Sequence, residues 1–179
     1  MISAPDCNIE MTSTDVVNSY SGCSGQRCMA ATVLLTIGHQ QELIDKIVAK
    51  SEALRPGSKA GEVGPVIDQT SVDKITRYIN EAEASGARIL VDGRPWTKTQ
   101  SEGFWVGPTV ILHTNRQDPA LHDEIFGPVL SILAVETAEE ALAIENANPY
   151  GNAACIYTST GATADHFIKR FSAGMCGVK

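Results

Sequence analysis

Chemistry is most readily written into one stretch of this chain, Ser21-Gly22-Cys23-Ser24-Gly25-Gln26-Arg27-Cys28-Met29-Ala30, a glycine-punctuated loop that brings Cys28 to the start of an apolar run. A thiol is a useful nucleophile at neutral pH only as the thiolate, so a reactive cysteine needs positive potential or oriented N–H donors, together with access to solvent. Arg27 adjoins it, and Gly22 and Gly25 let the backbone bend around a substrate carbonyl with N–H groups free to meet an oxyanion. Cys28 is therefore the candidate nucleophile. On these residues alone the commoner role, an inert core cysteine, stays open beside it. Arg27 also carries two readings: recognition of a substrate carboxylate and support of the thiolate, or a structural ion pair facing away. Cys23 is a redox partner by proximity in sequence only.

A second cluster lies far downstream, in His122-Asp123-Glu124-Ile125-Phe126-Gly127-Pro128-Val129-Leu130. Gly-Gln-Arg-Cys followed by Glu-Ile-Phe-Gly-Pro-Val, in this order, resembles the aldehyde dehydrogenase superfamily. The similarity continues through Gly64-Pro65-Val66-Ile67, Gly103-Phe104-Trp105-Val106-Gly107-Pro108-Thr109-Val110, Asn148-Pro149-Tyr150-Gly151 and Ala173-Gly174-Met175-Cys176-Gly177-Val178. Gly-Gln-Arg-Cys-Met-Ala, Asn-Pro-Tyr-Gly-Asn and Thr-Gly-Ala-Thr-Ala are most similar to the methylmalonate-semialdehyde dehydrogenase branch.

The resemblance implies that the Cys28 thiolate attacks an aldehyde to give a thiohemiacetal, that a hydride passes to NAD or NADP, and that a thioester remains until water or coenzyme A releases the acyl group. It implies that the Cys28 N–H is one oxyanion donor, the second being an asparagine of a cofactor-binding domain. Glu124 matches the glutamate that accepts from the nicotinamide ribose hydroxyls, and Phe126 the aromatic ring packed beside that ribose; standing alone, the two would read as a solvated or capping carboxylate and as ordinary packing. Arg27 becomes a substrate-binding candidate for the carboxylate of a semialdehyde. The cofactor would be bound mainly by a domain absent here, because only a short stretch precedes Cys28 and no dinucleotide-type glycine fingerprint occurs. The chain ends at Val178-Lys179, where relatives read Val-Asn and continue into oligomer-forming segments. The expected organisation is a lead-in segment over residues 1–20 and a catalytic domain over residues 21–179, lacking the cofactor-binding domain and the C-terminal oligomerisation segment. Implied partners are a small aldehyde, the missing cofactor domain and, in the full-length protein, further copies of itself.

Composition sets outer bounds. The chain has 179 residues, 43% hydrophobic, enough for one well-buried core. A net charge of -7 disfavours nucleic acid and anionic membrane as partners. The five cysteines Cys7, Cys23, Cys28, Cys155 and Cys176 follow neither a zinc spacing nor a disulfide framework, which suits a reducing compartment. No apolar run reaches the roughly 18 residues of a membrane span. The amino terminus lacks a charged leader, so the expectation is a cytoplasmic protein, with a mitochondrial one left open because residues can be missing upstream.

The elements that must position these residues follow from periodicity. Thr32–Ile37, Arg88–Val91, Trp105–Leu112, Val129–Val135, Ala153–Thr158 and Met175–Val178 read as strands, the third interrupted by Gly107-Pro108. Helical spacing runs over Gln40–Leu54, Ser71–Ser85 and Thr163–Ser172, and Thr137-Ala138-Glu139-Glu140 forms a capping box that opens a helix through Ala147. The glycines at 57, 61 and 64 read as a flexible connection, Trp96 to Glu102 as polar surface and His113 to Gln117 as a polar link; His39, His113, His122 and His166 read as surface residues without metal spacing. Strands alternating with helices predict an α/β fold: an open, mainly parallel twisted sheet with helices on both faces. Two further functional classes stay open: a silent module of the same fold used as an interaction surface, and a thiol acyltransferase or esterase that needs a histidine base beside Cys28.

Overall fold

Apolar and β-branched runs enter one sheet in a computed structural model that describes residues 1–100 and 102–179. The strands are β1 (Ile2–Ser3), β2 (Val33–Ile37), β3 (Arg88–Val91), β4 (Thr109–His113), β5 (Val129–Val135), β6 (Ala153–Tyr157) and β7 (Met175–Val178), in the spatial order β3-β4-β5-β2-β1-β6-β7. Among the named strands of the described residues, β3 runs antiparallel to β4 and the other five pairings are parallel. β5 is apolar on both sides of its pleat because both faces of the sheet are covered.

Side chains alternate across a strand, so neighbouring residues show which helices lie where. Leu34, Val110, Leu130 and Ile132 pack with Val16, Val17 and Tyr20 of α1 (Ile9–Ser21) and Leu43, Ile44 and Ile47 of α2 (Gln41–Glu52). Their neighbours turn the other way. Ile111 and Val129 meet Val72, Ile75 and Ile79 of α3 (Gln69–Ala84), while Leu35, Leu133 and Ile156 meet Ala141 and Leu142 of α5 (Ala138–Ala147) and Phe167 of α6 (Gly161–Ile168). α4 (Trp96–Thr99) is a short surface helix between β3 and β4. The expected polar surface stretch Trp96 to Glu102 also contains Ser101, which lies outside the described residues.

Polar side chains start three helices: Asn8, Asp68 and Thr137 accept from the backbone N–H of Met11, Ser71 and Glu140. The reciprocal half of the Thr137 box is displaced by one residue, since Glu140 accepts from the N–H of Glu136.

Three expectations need correction. Residues 1–20 are no lead-in: Ile2, 1% exposed, lies in β1 between β2 and β6, and α1 covers the sheet. A two-residue strand has no periodicity of its own to read. The run from Trp105 becomes strand only at Thr109, because Pro108 cannot donate to a ladder. His113 is no surface residue of a polar link; it ends β4, 3% exposed, with Nε2 3.1 Å from Ser131 Oγ and Nδ1 3.4 Å from the buried Asp118 carboxylate. Burial pushes its pKa down, opposed by Asp118.

Candidate active site

Five of the motifs singled out in the sequence lie just ahead of a strand, and that placement makes the site. Cys28 precedes β2, Phe104 to Pro108 precedes β4, Glu124 to Pro128 precedes β5, Tyr150 to Asn152 precedes β6, and Gly174 precedes β7. Parallel strands share one direction, so these loops gather at the amino-terminal edge of the sheet. Those before β2, β5 and β6 contribute to the lining of a cavity of roughly 440 Å³, a lining that includes Arg27, Cys28, Met29, Glu124, Phe126 and Asn152. All four residues nominated from the sequence, Cys28, Arg27, Glu124 and Phe126, reach this one cavity.

The cysteine loop is held by strained backbone and by ties on either side. After α1 ends, Cys23 (φ 52°), Ser24 (φ 56°) and Gly25 (φ 69°) form a left-handed turn, which costs an L-residue about 1–2 kcal/mol. Ser24 is buried and donates to the carbonyl of Gly64 at 2.5 Å. Gln26 accepts from the Ile67 N–H at 2.9 Å, so the Gly64-Pro65-Val66-Ile67 motif serves as a brace. Strain held by such contacts marks functional loops. Gly25 itself docks the two distant motifs, because a Cβ there would lie 1.9 Å from the Gly127 carbonyl oxygen. Its left-handed φ and the missing side chain are both required.

Beyond this brace the chain turns sharply: Ala30 N–H bonds to the Arg27 carbonyl at 2.9 Å, placing Cys28 and Met29 at the corner. The backbone N–H groups of these two residues make no hydrogen bond among the described residues, which leaves them free for an oxyanion. Cys28 is exposed and unbridged, and its sulfur has no hydrogen-bond partner among the described residues. No histidine bonds to it, which removes the support for a cysteine–histidine hydrolase; His122 lines the same cavity with Nε2 2.7 Å from the Arg116 carbonyl.

Arg27 takes neither of the forms expected of it in full. Its Nη2 donates to the carbonyls of Ser19 (2.9 Å) and Asn18 (3.4 Å), so the cation sits at the C-terminal end of α1, where the helix dipole favours it. It forms no ion pair among the described residues, and Nε and Nη1 are without a hydrogen-bond partner there.

The second motif is shaped from α3. Lys74 Nζ donates to the Glu124 carbonyl at 2.8 Å and Tyr78 Oη to the Asp123 carboxylate at 2.8 Å. Held this way, Phe126 adopts a left-handed φ of 60° and stands 38% exposed. The Glu124 carboxylate is exposed and makes no hydrogen bond or ion pair among the described residues. An unengaged carboxylate and an exposed ring in one cavity lining could accept from the vicinal diol of a ribose and pack against that sugar.

Several residues of the site were not found by sequence reasoning. Asn152 donates from Nδ2 to the Cys28 carbonyl at 3.0 Å; its motif is visible in the sequence, its task is not. Lys74 and Tyr78 carry a readable sign, since their spacing puts them on one face of α3. Glu145 of α5 also lines the cavity, with Oε2 buried and unpartnered among the described residues. Burial raises its pKa above the ordinary carboxylate value.

The model of the aldehyde dehydrogenase family matches residues 1–179. Malonate-semialdehyde dehydrogenase 2 of Geobacillus kaustophilus is 37% identical over 178 residues, covering 97% of this chain and 37% of that protein. Malonate-semialdehyde dehydrogenase of Bacillus cereus is 40% identical with the same coverage. Among solved structures, methylmalonate-semialdehyde dehydrogenase from Oceanimonas doudoroffii superposes with a TM-score of 0.93 at 35% identity, over 99% of this chain and 38% of that one. A Sinorhizobium meliloti 1021 structure complexed with NAD gives 0.94 at 33% identity, over 99% and 38%. The chain thus spans a little over a third of the length of these relatives.

Proposed function

The chain belongs to the aldehyde dehydrogenase family, and on that premise we propose that Cys28 is the nucleophile of an NAD(P)-dependent oxidation of a semialdehyde. The carrying observation is the exposed, unengaged thiol at a turn whose own N–H groups are free, inside the cavity that also holds Glu124 and Phe126. Cys28 adds to the aldehyde carbon while its N–H accommodates the oxygen as charge builds on it. Glu124 would accept from the ribose hydroxyls of the cofactor and Phe126 would pack beside that ribose, in the same cavity lining as Cys28. When bound, the nicotinamide supplies the hydride acceptor that turns the adduct on Cys28 into a thioester. Release of the acyl group falls to water or to the thiol of coenzyme A. The free guanidinium atoms of Arg27 suit the carboxylate of malonate or methylmalonate semialdehyde. In this reading the adenine half of the cofactor is held by segments that the relatives have and this chain does not match. A free nucleophilic thiol also suits the reducing cytoplasm.

The test needs no cofactor. p-Nitrophenyl acetate acylates a thiolate through a tetrahedral oxyanion, whereas iodoacetamide alkylates it without one. With the whole chain, peptide mass spectrometry is expected to find Cys28 acylated first of the five cysteines, and Cys28→Ser to abolish that burst. Acylation of Cys28 no faster than that of Cys23, which is also exposed, would refute the assignment.

A further inference from the structure

Asn152 contacts the nucleophile's own peptide across 124 residues of sequence, its Nδ2 3.0 Å from the Cys28 carbonyl oxygen. The backbone on either side of its α-carbon is itself tied down. Its carbonyl accepts from Met175 N–H at 3.0 Å, and that of Gly151 accepts from Gly174 N–H at 2.8 Å, which fixes residue 152 against the start of β7. A donor carried on a tied backbone therefore meets the carbonyl at the corner of the Arg27 to Ala30 turn.

That carbonyl belongs to the peptide whose reversal would change the turn type, a change that needs a positive φ at Met29, which Met29 does not have here. The peptide joining the two corner residues distinguishes the two common turn types, and the types interconvert by reversing this plane while the closing hydrogen bond survives. Because the unit is planar and trans, reversing the Cys28 carbonyl also reverses the Met29 N–H. The flip would exchange a donor for a carbonyl acceptor next to the thiol, where an oxyanion has to be stabilised. A hydrogen bond from Asn152 opposes it.

We propose that Asn152 is the positioning residue of the nucleophile: its amide locks the Cys28–Met29 peptide in the orientation that keeps an acceptor away from the oxyanion's place. This rests on Cys28 being the nucleophile, and the experiment separates the two failures. For the whole chain and for Asn152→Asp and Asn152→Leu, the rates of Cys28 acylation by p-nitrophenyl acetate and of alkylation by iodoacetamide are measured from pH 6 to 10, with Cys23 as the internal reference.

Only acylation builds an oxyanion, so the ratio of the two rates isolates what the turn contributes. Asn152→Asp keeps the size of the side chain and removes the donor; its ratio is expected to fall roughly tenfold or more, with alkylation changed by less than about threefold. Asn152→Leu is expected to show the same fall, and it carries the test if the aspartate variant loses its thermal transition. A packing role predicts the reverse order, with aspartate near the parent chain and leucine slow towards both reagents. An unchanged ratio in either folded variant, or an equal loss with both reagents, overturns the proposal. If the parent Cys28 is no more reactive than Cys23, the nucleophile assignment itself has failed.

Discussion

Two residues test the site where its backbone and its burial are most demanding. Gly25 and Gly61 both have left-handed φ, 69° and 85°, but a Cβ would strike the Gly127 carbonyl at the first and meet open space at the second. Gly61→Ala is thus expected to cost only the conformational term, about 1 kcal/mol, while Gly25→Ala adds a backbone collision and costs about 3 kcal/mol or more. Urea midpoints of the two variants decide this, and equal losses would mean that the two motifs are not tightly docked. Glu145 tests burial. Its folded pKa is raised, so the folded state binds the proton more tightly than the unfolded one. Stability is greatest below the unfolded value near 4.3 and falls as pH rises towards the folded value. Glu145→Gln is therefore expected to raise the urea midpoint modestly at pH 7 to 8 and to lose that gain near pH 4. A pH-independent gain would show that ionisation is not its source.

At the scale of elements, α3 acts on the site without entering it. Its apolar face, Val72, Ile75 and Ile79, is buried against the sheet, while Lys74 and Tyr78 hold the loop that carries Glu124 and Phe126. Replacing either polar group leaves the helix packed and frees the loop. Tyr78→Phe and Lys74→Met are each expected to cost about 1 kcal/mol or less, and to speed amide exchange at residues 123–126 while β5 keeps its protection. Faster exchange across β5 as well would mean that the loop and the strand open together. The helix itself was legible, because apolar residues at helical spacing and Gly86 beyond its end mark its face and its C-terminus. The job of its polar side chains was not, since hydrogen bonds to distant backbone carbonyls leave no periodic trace. The same contrast separates Cys28, marked by its glycine-rich loop, from Asn152, whose partner is defined only once β6 and β7 are assembled.

For the whole molecule, the decisive piece is the smallest strand. Alternation and run length are enough to expect a mainly parallel sheet with helices on both faces, yet Ile2 and Ser3 show neither. They become strand because β2 and β6 each present an unsatisfied backbone ladder with room for one more chain between them: Ile2 pairs with Leu35 on one side and Ile156 on the other. Without β1 the sheet divides into β3-β4-β5-β2 and β6-β7, and Asn152 is then no longer held at a fixed distance from Cys28. Two changes separate the side chain from the strand. Ile2→Ala deletes a side chain buried among Leu35, Leu133, Ile156 and Phe167 and is expected to cost about 2–5 kcal/mol with one cooperative transition retained. Deleting residues 1–4 removes the ladder as well, and is expected to abolish that transition and with it the selective acylation of Cys28. A deletion variant that still melts cooperatively and still acylates Cys28 before Cys23 would show that the two parts of the sheet meet without this strand, and that the cavity is built by its loops alone.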